Sequence, residues 1–123
     1  MPDDQRYERG LAMFQEVYDG DVPAPPRGAM AFFDAMIEQT FAELWSREAL
    51  SVRDRRLVII GIIAALGERD TFKIQVRAAL KKGELSAEQL REVLMQIAHY
   101  AGYPRAAGLL GTLEQTIAEV EKG

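Results

Sequence analysis

His99 is the single histidine of a 123-residue chain. Imidazole is the one side chain whose unperturbed pKa lies close to 7, so His99 is the natural proton donor or acceptor of this sequence. Glu92, Gln96 and His99 follow one another at spacings of four and three, which puts them on one face of a helix. Glu92 and His99 would stand two turns apart, roughly 10 Å along the axis, and can line one site around a shared ligand. The same spacing also suits a solvated polar face or an oligomer contact. A second group is cationic: Arg53, Arg55 and Arg56 fall in the first turns of a helix that begins near Val52. Positive charge there opposes the helix dipole. An internal carboxylate, a neighbouring subunit or an anionic ligand should offset it. Arginine binds carboxylates through two parallel hydrogen bonds, and salt bridges to some of the 19 acidic residues would use it equally well. Arg77 is a further carboxylate partner or an interface residue. Gln75 falls at the edge of an apolar helix face, as a pocket-facing polar group or as a buried structural glutamine.

Composition narrows the chemistry. The chain has no cysteine, which removes disulfides, thiolate nucleophiles and thiol redox chemistry together. A lone histidine with no ligand cluster around it makes no metal site, so no metal is expected. The net charge of -4 argues against nucleic acid and against an anionic membrane surface as partners. No window reaches the roughly 20 apolar residues that a membrane-spanning helix needs. The polar, acidic start, MPDDQRYERG, has no apolar core of a signal peptide. These features are compatible with a cytoplasmic protein.

The elements that must position these residues are helical. Asp3 or Asp4 can cap a first helix, with Tyr7, Leu11, Phe14 and Tyr18 on one face and Gly20 at its end. Pro23, Pro25 and Pro26 then force an extended connection. Residues 1–28 read as a helical arm and proline-rich link of a single domain spanning 1–123. A second helix is predicted from about Met30 to Trp45. The third, Val52 to Leu66, carries the unbroken apolar run from Leu57 to Leu66, with Gly67 as its stop. A helix apolar all round must be covered all round, so this one is expected at the centre, wrapped by the others and by a second subunit. A fourth helix starts at Asp70 or Thr71 and ends at Lys81-Lys82-Gly83. Ser86 and Gln89 form a capping box for a fifth, which Gly102 stops. Pro104 fits the first turn of a sixth. Trp45, Phe72, Tyr100 and Tyr103 are expected as core or interface aromatics. No segment alternates as a strand would, so the fold class is all-α, a bundle of about six helices.

Leu44-Trp45-Ser46-Arg47, Arg53-Asp54-Arg55, Val76-Arg77-Ala78-Ala79-Leu80, Gly83, Glu92-Val93-Leu94 and Tyr100-Ala101-Gly102-Tyr103-Pro104 together resemble the carboxymuconolactone decarboxylase family. Arg6-Tyr7-Glu8-Arg9-Gly10 also looks like the start of its decarboxylases. The resemblance implies the all-α fold shared with alkyl hydroperoxidase D, and a homo-oligomer, a trimer or hexamer. It further implies cofactor-free decarboxylation of γ-carboxymuconolactone, in the breakdown of aromatic compounds. The peroxidase branch carries Cys-x-x-Cys-x-x-x-His where Glu68, Thr71 and Gln75 stand here, so thiol peroxidase chemistry is excluded. Decarboxylases usually have histidine where this chain has Gln75. Such a lyase needs a clamp for the carboxylate that stays, donors for the charge left when carbon dioxide departs, and an acid for carbon. Arg55 and Arg77 are the candidate clamps. Gln75 is the candidate donor, His99 the acid, and Glu92 its electrostatic partner. The alternative is a non-catalytic, oligomeric binding protein of the same fold.

Overall fold

The computed structural model describes residues 2–123, with side chains from Asp4 onward. Six helices account for its regular structure, and the described residues hold no strand. They fall into two compact units, Met1–Val52 and Arg53–Gly123.

The first unit takes in α1 (Pro2–Tyr18), the proline connection and α2. Because α1 already runs from Pro2, Asp4 lies inside its first turn and is not its cap; Asp4 pairs with Arg27 instead. The side chain of Asp3 lies outside the described residues. Tyr7, Gly10, Phe14 and Val17 form the buried line of α1, while Leu11 and Tyr18 flank it half-buried. The helix ends in two left-handed residues, Asp19 (φ 52°) and Gly20 (φ 77°). The Gly20 N–H reaches back to Gln15 O at 3.1 Å, the six-to-one bond of a Schellman turn.

The second helix, α2, begins as a short α-helical stretch, Ala31–Ala35, and continues as a π-helix, Met36–Leu44. The Trp45 N–H bonds to Thr40 O at 2.9 Å, five residues back. Such winding is rare, and here it brings Ile37, Phe41, Ala42 and Trp45 to one buried side. Phe41 meets Phe14 edge-on at 5.1 Å and stacks on Trp45 at 5.9 Å. Gly10 sets the approach of α1 to α2: a Cβ there would sit 2.0 Å from the Ile37 carbonyl oxygen.

The second unit holds α3 (Val52–Leu66, its first residue at the boundary), α4 (Arg69–Lys81), α5 (Ala87–Ala101) and α6 (Tyr103–Lys122). Ile60 and Ala64, Phe72, Val76 and Ala79, Leu90 and Leu94, and Leu109, Leu113 and Ile117 share one core. Helix ends follow the sequence signals closely. Gly67 and Gly83 are both left-handed, and the N–H after each bonds back to Ile63 O and Ala79 O. Ser86 Oγ accepts from Gln89 N at 3.1 Å and Gln89 Oε1 from Ser86 N at 2.9 Å, the reciprocal capping box. A single residue, Gly102 (φ 110°), joins α5 to α6. The start of α4 falls at Arg69, ahead of Asp70 and Thr71, because the Gly67 turn leaves only Glu68 as a link.

Within its own unit α3 is covered along one stripe only. Arg56, Ile60 and Ala64 are its buried stripe, whereas Val58, Ile62 and Leu66 are 54%, 52% and 63% exposed. The apolar run therefore feeds two faces, of which the core takes one.

The contact at Gly10 yields a directional prediction. An alanine normally favours a helix over glycine by about 1 kcal/mol. At residue 10 the added methyl meets a backbone carbonyl that cannot rotate away, so Gly10→Ala should destabilise by about 1–3 kcal/mol. Gly111→Ala, whose methyl meets nothing within 4 Å, should be neutral or stabilising. Urea unfolding of the two variants beside the wild type measures both signs.

Candidate functional site

Arg56 lies on the α3 stripe that faces the core, one turn before Ile60, and its side chain is wholly buried. A buried charge must be paired and hydrogen-bonded. The partner is Glu84, brought there by the left-handed Gly83 that turns the chain back over the end of α4. Arg56 Nε donates to Glu84 Oε1 at 2.5 Å and Nη2 to Oε2 at 3.3 Å, a two-pronged pair. Arg56 Nη1 donates to Gln75 Oε1 at 2.9 Å. Gln75, on α4, is 4% exposed. Two more cations close the group: Lys82 Nζ stands 3.3 Å from Glu84 Oε2, and Arg53 Nε donates to the Glu84 carbonyl at 2.9 Å. Asp54 pairs with Arg53 at 3.2 Å. Arg53, Arg56 and Lys82 thus converge on Glu84, with Asp54 beside them.

The other candidates lie elsewhere in this unit. Arg55 is half-buried at the same end of α3. Arg77, also half-buried, is 3.8 Å from Glu119 on α6, and Lys73 approaches the same carboxylate at 3.3 Å. His99 and Glu92 are exposed on α5, away from its buried line of Leu90, Leu94 and Ala98. His99 Nδ1 is 2.9 Å from the Met95 carbonyl. A carbonyl only accepts, so Nδ1 carries a proton, and in the neutral ring Nε2 is the acceptor. The ring edge packs on Tyr103 at 5.3 Å. No hydrogen bond or ion pair among the described residues links His99 or Glu92 to the Arg56 cluster.

Tyr103 in turn forms a wall of a hollow of about 310 Å³ between α5 and α6. Its floor is apolar, with Leu94, Ala98, Ala106 and Leu110, and Arg91 and Glu114 stand at one end. They are joined by two bonds of 2.8 Å. A groove of about 420 Å³ separates Gly61 and Ala65 of α3 from Gln96, Ile97 and Tyr100 of α5. No three His, Asp or Glu side chains converge as metal ligands would among the described residues. No helix among them is long and apolar enough to cross a membrane.

Comparison with known proteins places this geometry. The model of the carboxymuconolactone decarboxylase family matches residues 30–115, which spans α2 to most of α6 and includes the whole cluster. The chain belongs to that family. It is also 29% identical to the 4-carboxymuconolactone decarboxylase of Acinetobacter baylyi, over 98% of this chain and 92% of that protein. In this family member the buried polar centre is built from Arg56, Gln75 and Glu84. Of these, Gln75 stands out in the sequence by its place on α4. Arg56 and Glu84 as a pair do not, because 28 residues separate them. The signal that could have singled out Arg56 is its register: four and eight residues before the small and branched side chains Ile60 and Ala64, on the one stripe of α3 that is buried.

The Arg91–Glu114 pair carries a pH signature. The hydrogen bonds from Arg91 hold the Glu114 carboxyl below the usual glutamate range. Its contribution to stability is present above the unfolded-state value and is lost as pH falls through the lowered folded value. NMR titration of the glutamate carboxyl carbons should find Glu114 titrating below an ordinary glutamate, and Arg91→Gln should return it to the ordinary range.

Proposed function

We propose that the protein is a cofactor-free carboxy-lyase, or an enzyme of closely related lactone and enol chemistry, acting on a small carboxylated substrate. The observation that carries this reading is the likeness to a 4-carboxymuconolactone decarboxylase along nearly the full length of both chains. In the reaction the bond from carbon to carboxylate breaks and carbon dioxide leaves. The electron pair passes into the conjugated lactone carbonyl, and a proton is delivered to carbon. Gln75 donates a hydrogen bond to the developing oxyanion. His99 supplies the proton, with Glu92 on the same face as its electrostatic partner. Arg55 clamps the carboxylate that stays, and Arg77 is a second clamp.

The active form in this reading is a homo-oligomer, a trimer or hexamer. A second copy is what would cover Val58, Ile62 and Leu66, which one chain leaves half-exposed. The groove between α3 and α5 supports that place for a contact. Gln96 and Tyr100 line it, within a turn of His99, so a copy seated there would close over the histidine. The pathway expected for such an enzyme is the breakdown of aromatic compounds in the cytoplasm.

A second reading has its own observation. His99 is exposed while Gln75 is buried, and neither lines the hollow between α5 and α6 or the groove between α3 and α5. That favours an oligomeric binding protein that kept the fold without the chemistry. Purified protein incubated with γ-carboxymuconolactone, followed by its absorbance, distinguishes the two. The lyase turns it over, and His99→Ala lowers kcat by about 100-fold or more. Turnover untouched by His99→Ala removes the role given to that residue, and no turnover favours the binding protein. Light scattering should return a multiple of 13.8 kDa, whereas the monomer mass would contradict the assembly.

A further inference from the structure

Gln75 belongs to the proposed site, but nothing so far fixes which end of its amide a ligand would meet. We infer that Arg56 and Glu84 are positioning residues that lock the Gln75 amide into one polarity, so that its NH₂ end is presented as a hydrogen-bond donor and position 75 favours ligands with an acceptor oxygen. The inference deepens the lyase reading and rests on it for the identity of the ligand.

The chemistry of the donor set dictates the lock. A guanidinium carries five N–H donors and no acceptor. An amide can therefore meet Arg56 through Oε1 and never through Nε2. The observed contact is Nη1 to Oε1 at 2.9 Å. With Arg56 held on Oε1, the NH₂ group is the end offered to an acceptor, since its two hydrogens only donate. Turning the amide over would place NH₂ against N–H, two donors face to face in a setting where Gln75 is 4% exposed and Arg56 wholly buried. Such an unsatisfied pair is expensive away from water.

Glu84 holds the other side of the lock. Its two carboxylate oxygens take Nε and Nη2, so the guanidinium plane is fixed by a two-pronged contact and cannot rotate off Gln75. Lys82 and Arg53 fix Glu84 in turn, through its Oε2 and its carbonyl. Every ionisable group touching the amide's partners is thus a charge already paired. Gln75 itself cannot titrate. The consequence is a site that distinguishes oxygen anions from amines by hydrogen-bond polarity: a carboxylate, enolate or carbonyl oxygen meets the NH₂ donors, whereas an ammonium of the same length finds Oε1 already shared with a guanidinium.

Side-chain amide NMR on the full-length ¹⁵N-labelled protein tests this. The Gln75 NH₂ pair is assigned by its loss in Gln75→Glu. Titration with adipate, an unreactive dicarboxylate, should move that pair, and hexane-1,6-diamine should not. Gln75→Glu keeps the size and loses the donor, so adipate binding should weaken about tenfold or more. In the double variant Arg56→Met/Glu84→Met, which removes both charges of the pair together, the Gln75 NH₂ pair should shift in the free protein and its discrimination against the diamine should fall. An NH₂ pair unmoved by adipate, or moved equally by both probes, overturns the inference. So does a double variant whose pair superimposes on the wild type. If that variant does not fold, Gln75→Glu decides alone, and unchanged adipate affinity overturns the inference. Turnover of γ-carboxymuconolactone is scored separately. Turnover with an indifferent Gln75 sinks the polarity lock and spares the lyase, whereas a responsive Gln75 without turnover does the reverse.

Discussion

A positive charge with no water around it organises the second unit. Arg56 sits on the buried stripe of α3, and an isolated charge there would be prohibitively unfavourable. Its neutralisation by Glu84 ties the start of α3 to the turn after α4, two segments with 28 residues between them. The register of α3 follows: a slip of one residue would turn Arg56 off the stripe and put Arg55 or Leu57 against a carboxylate. Such pairs often add little net stability, because desolvation offsets most of the attraction. What this one supplies is placement. Removing a single partner would strand the other and cost about 3–5 kcal/mol, so the two residues hold each other as well as the glutamine between helices.

The first unit is held by a different constraint, a backbone approach. With no Cβ at Gly10, α1 comes up against the Ile37 carbonyl. The π-winding of Met36–Leu44 gathers Ile37, Phe41, Ala42 and Trp45 on the side where Phe14 meets Phe41. An aromatic cluster of this kind gains from edge-on and stacked contacts beyond the area it buries. That gain helps offset the poorer hydrogen-bond geometry of the wide helix.

What could be read in the chain alone was whatever is encoded locally. Ser86 with Gln89 marked the start of α5, Gly20, Gly67 and Gly83 marked ends, and Pro104 the first turn of α6. Each acts through backbone conformation or a cap within a few residues. The π-helix was not legible, since Met36–Leu44 carries ordinary helical spacing and its winding answers to packing on α1. The cover of α3 was legible only in part, for a related reason. An apolar run states that two faces shun water, but not whether the same chain supplies both covers. In the site, Gln75 could be picked out on α4, and the arginines at the head of α3 could be seen to need an offset. Which arginine goes inside depends on Glu84, and no local pattern names a partner so far along the chain.

The buried cluster also constrains any chemistry that runs beside it. Arg56 does not give up its proton in a protein, and Gln75 has none to exchange near neutral pH. Arg56 and Gln75 can therefore hold charge and orient a dipole, but they cannot move a proton. In the lyase reading the proton comes from another group, the role proposed for His99. Its Nδ1 is committed to the Met95 carbonyl, which turns the other nitrogen outward from α5. A fixed donor that is buried and a proton carrier that is exposed are of use to one substrate only if another surface encloses the carrier. The uncovered face of α3, and the groove it shares with α5 beside His99, are where the proposed second copy would have to do so.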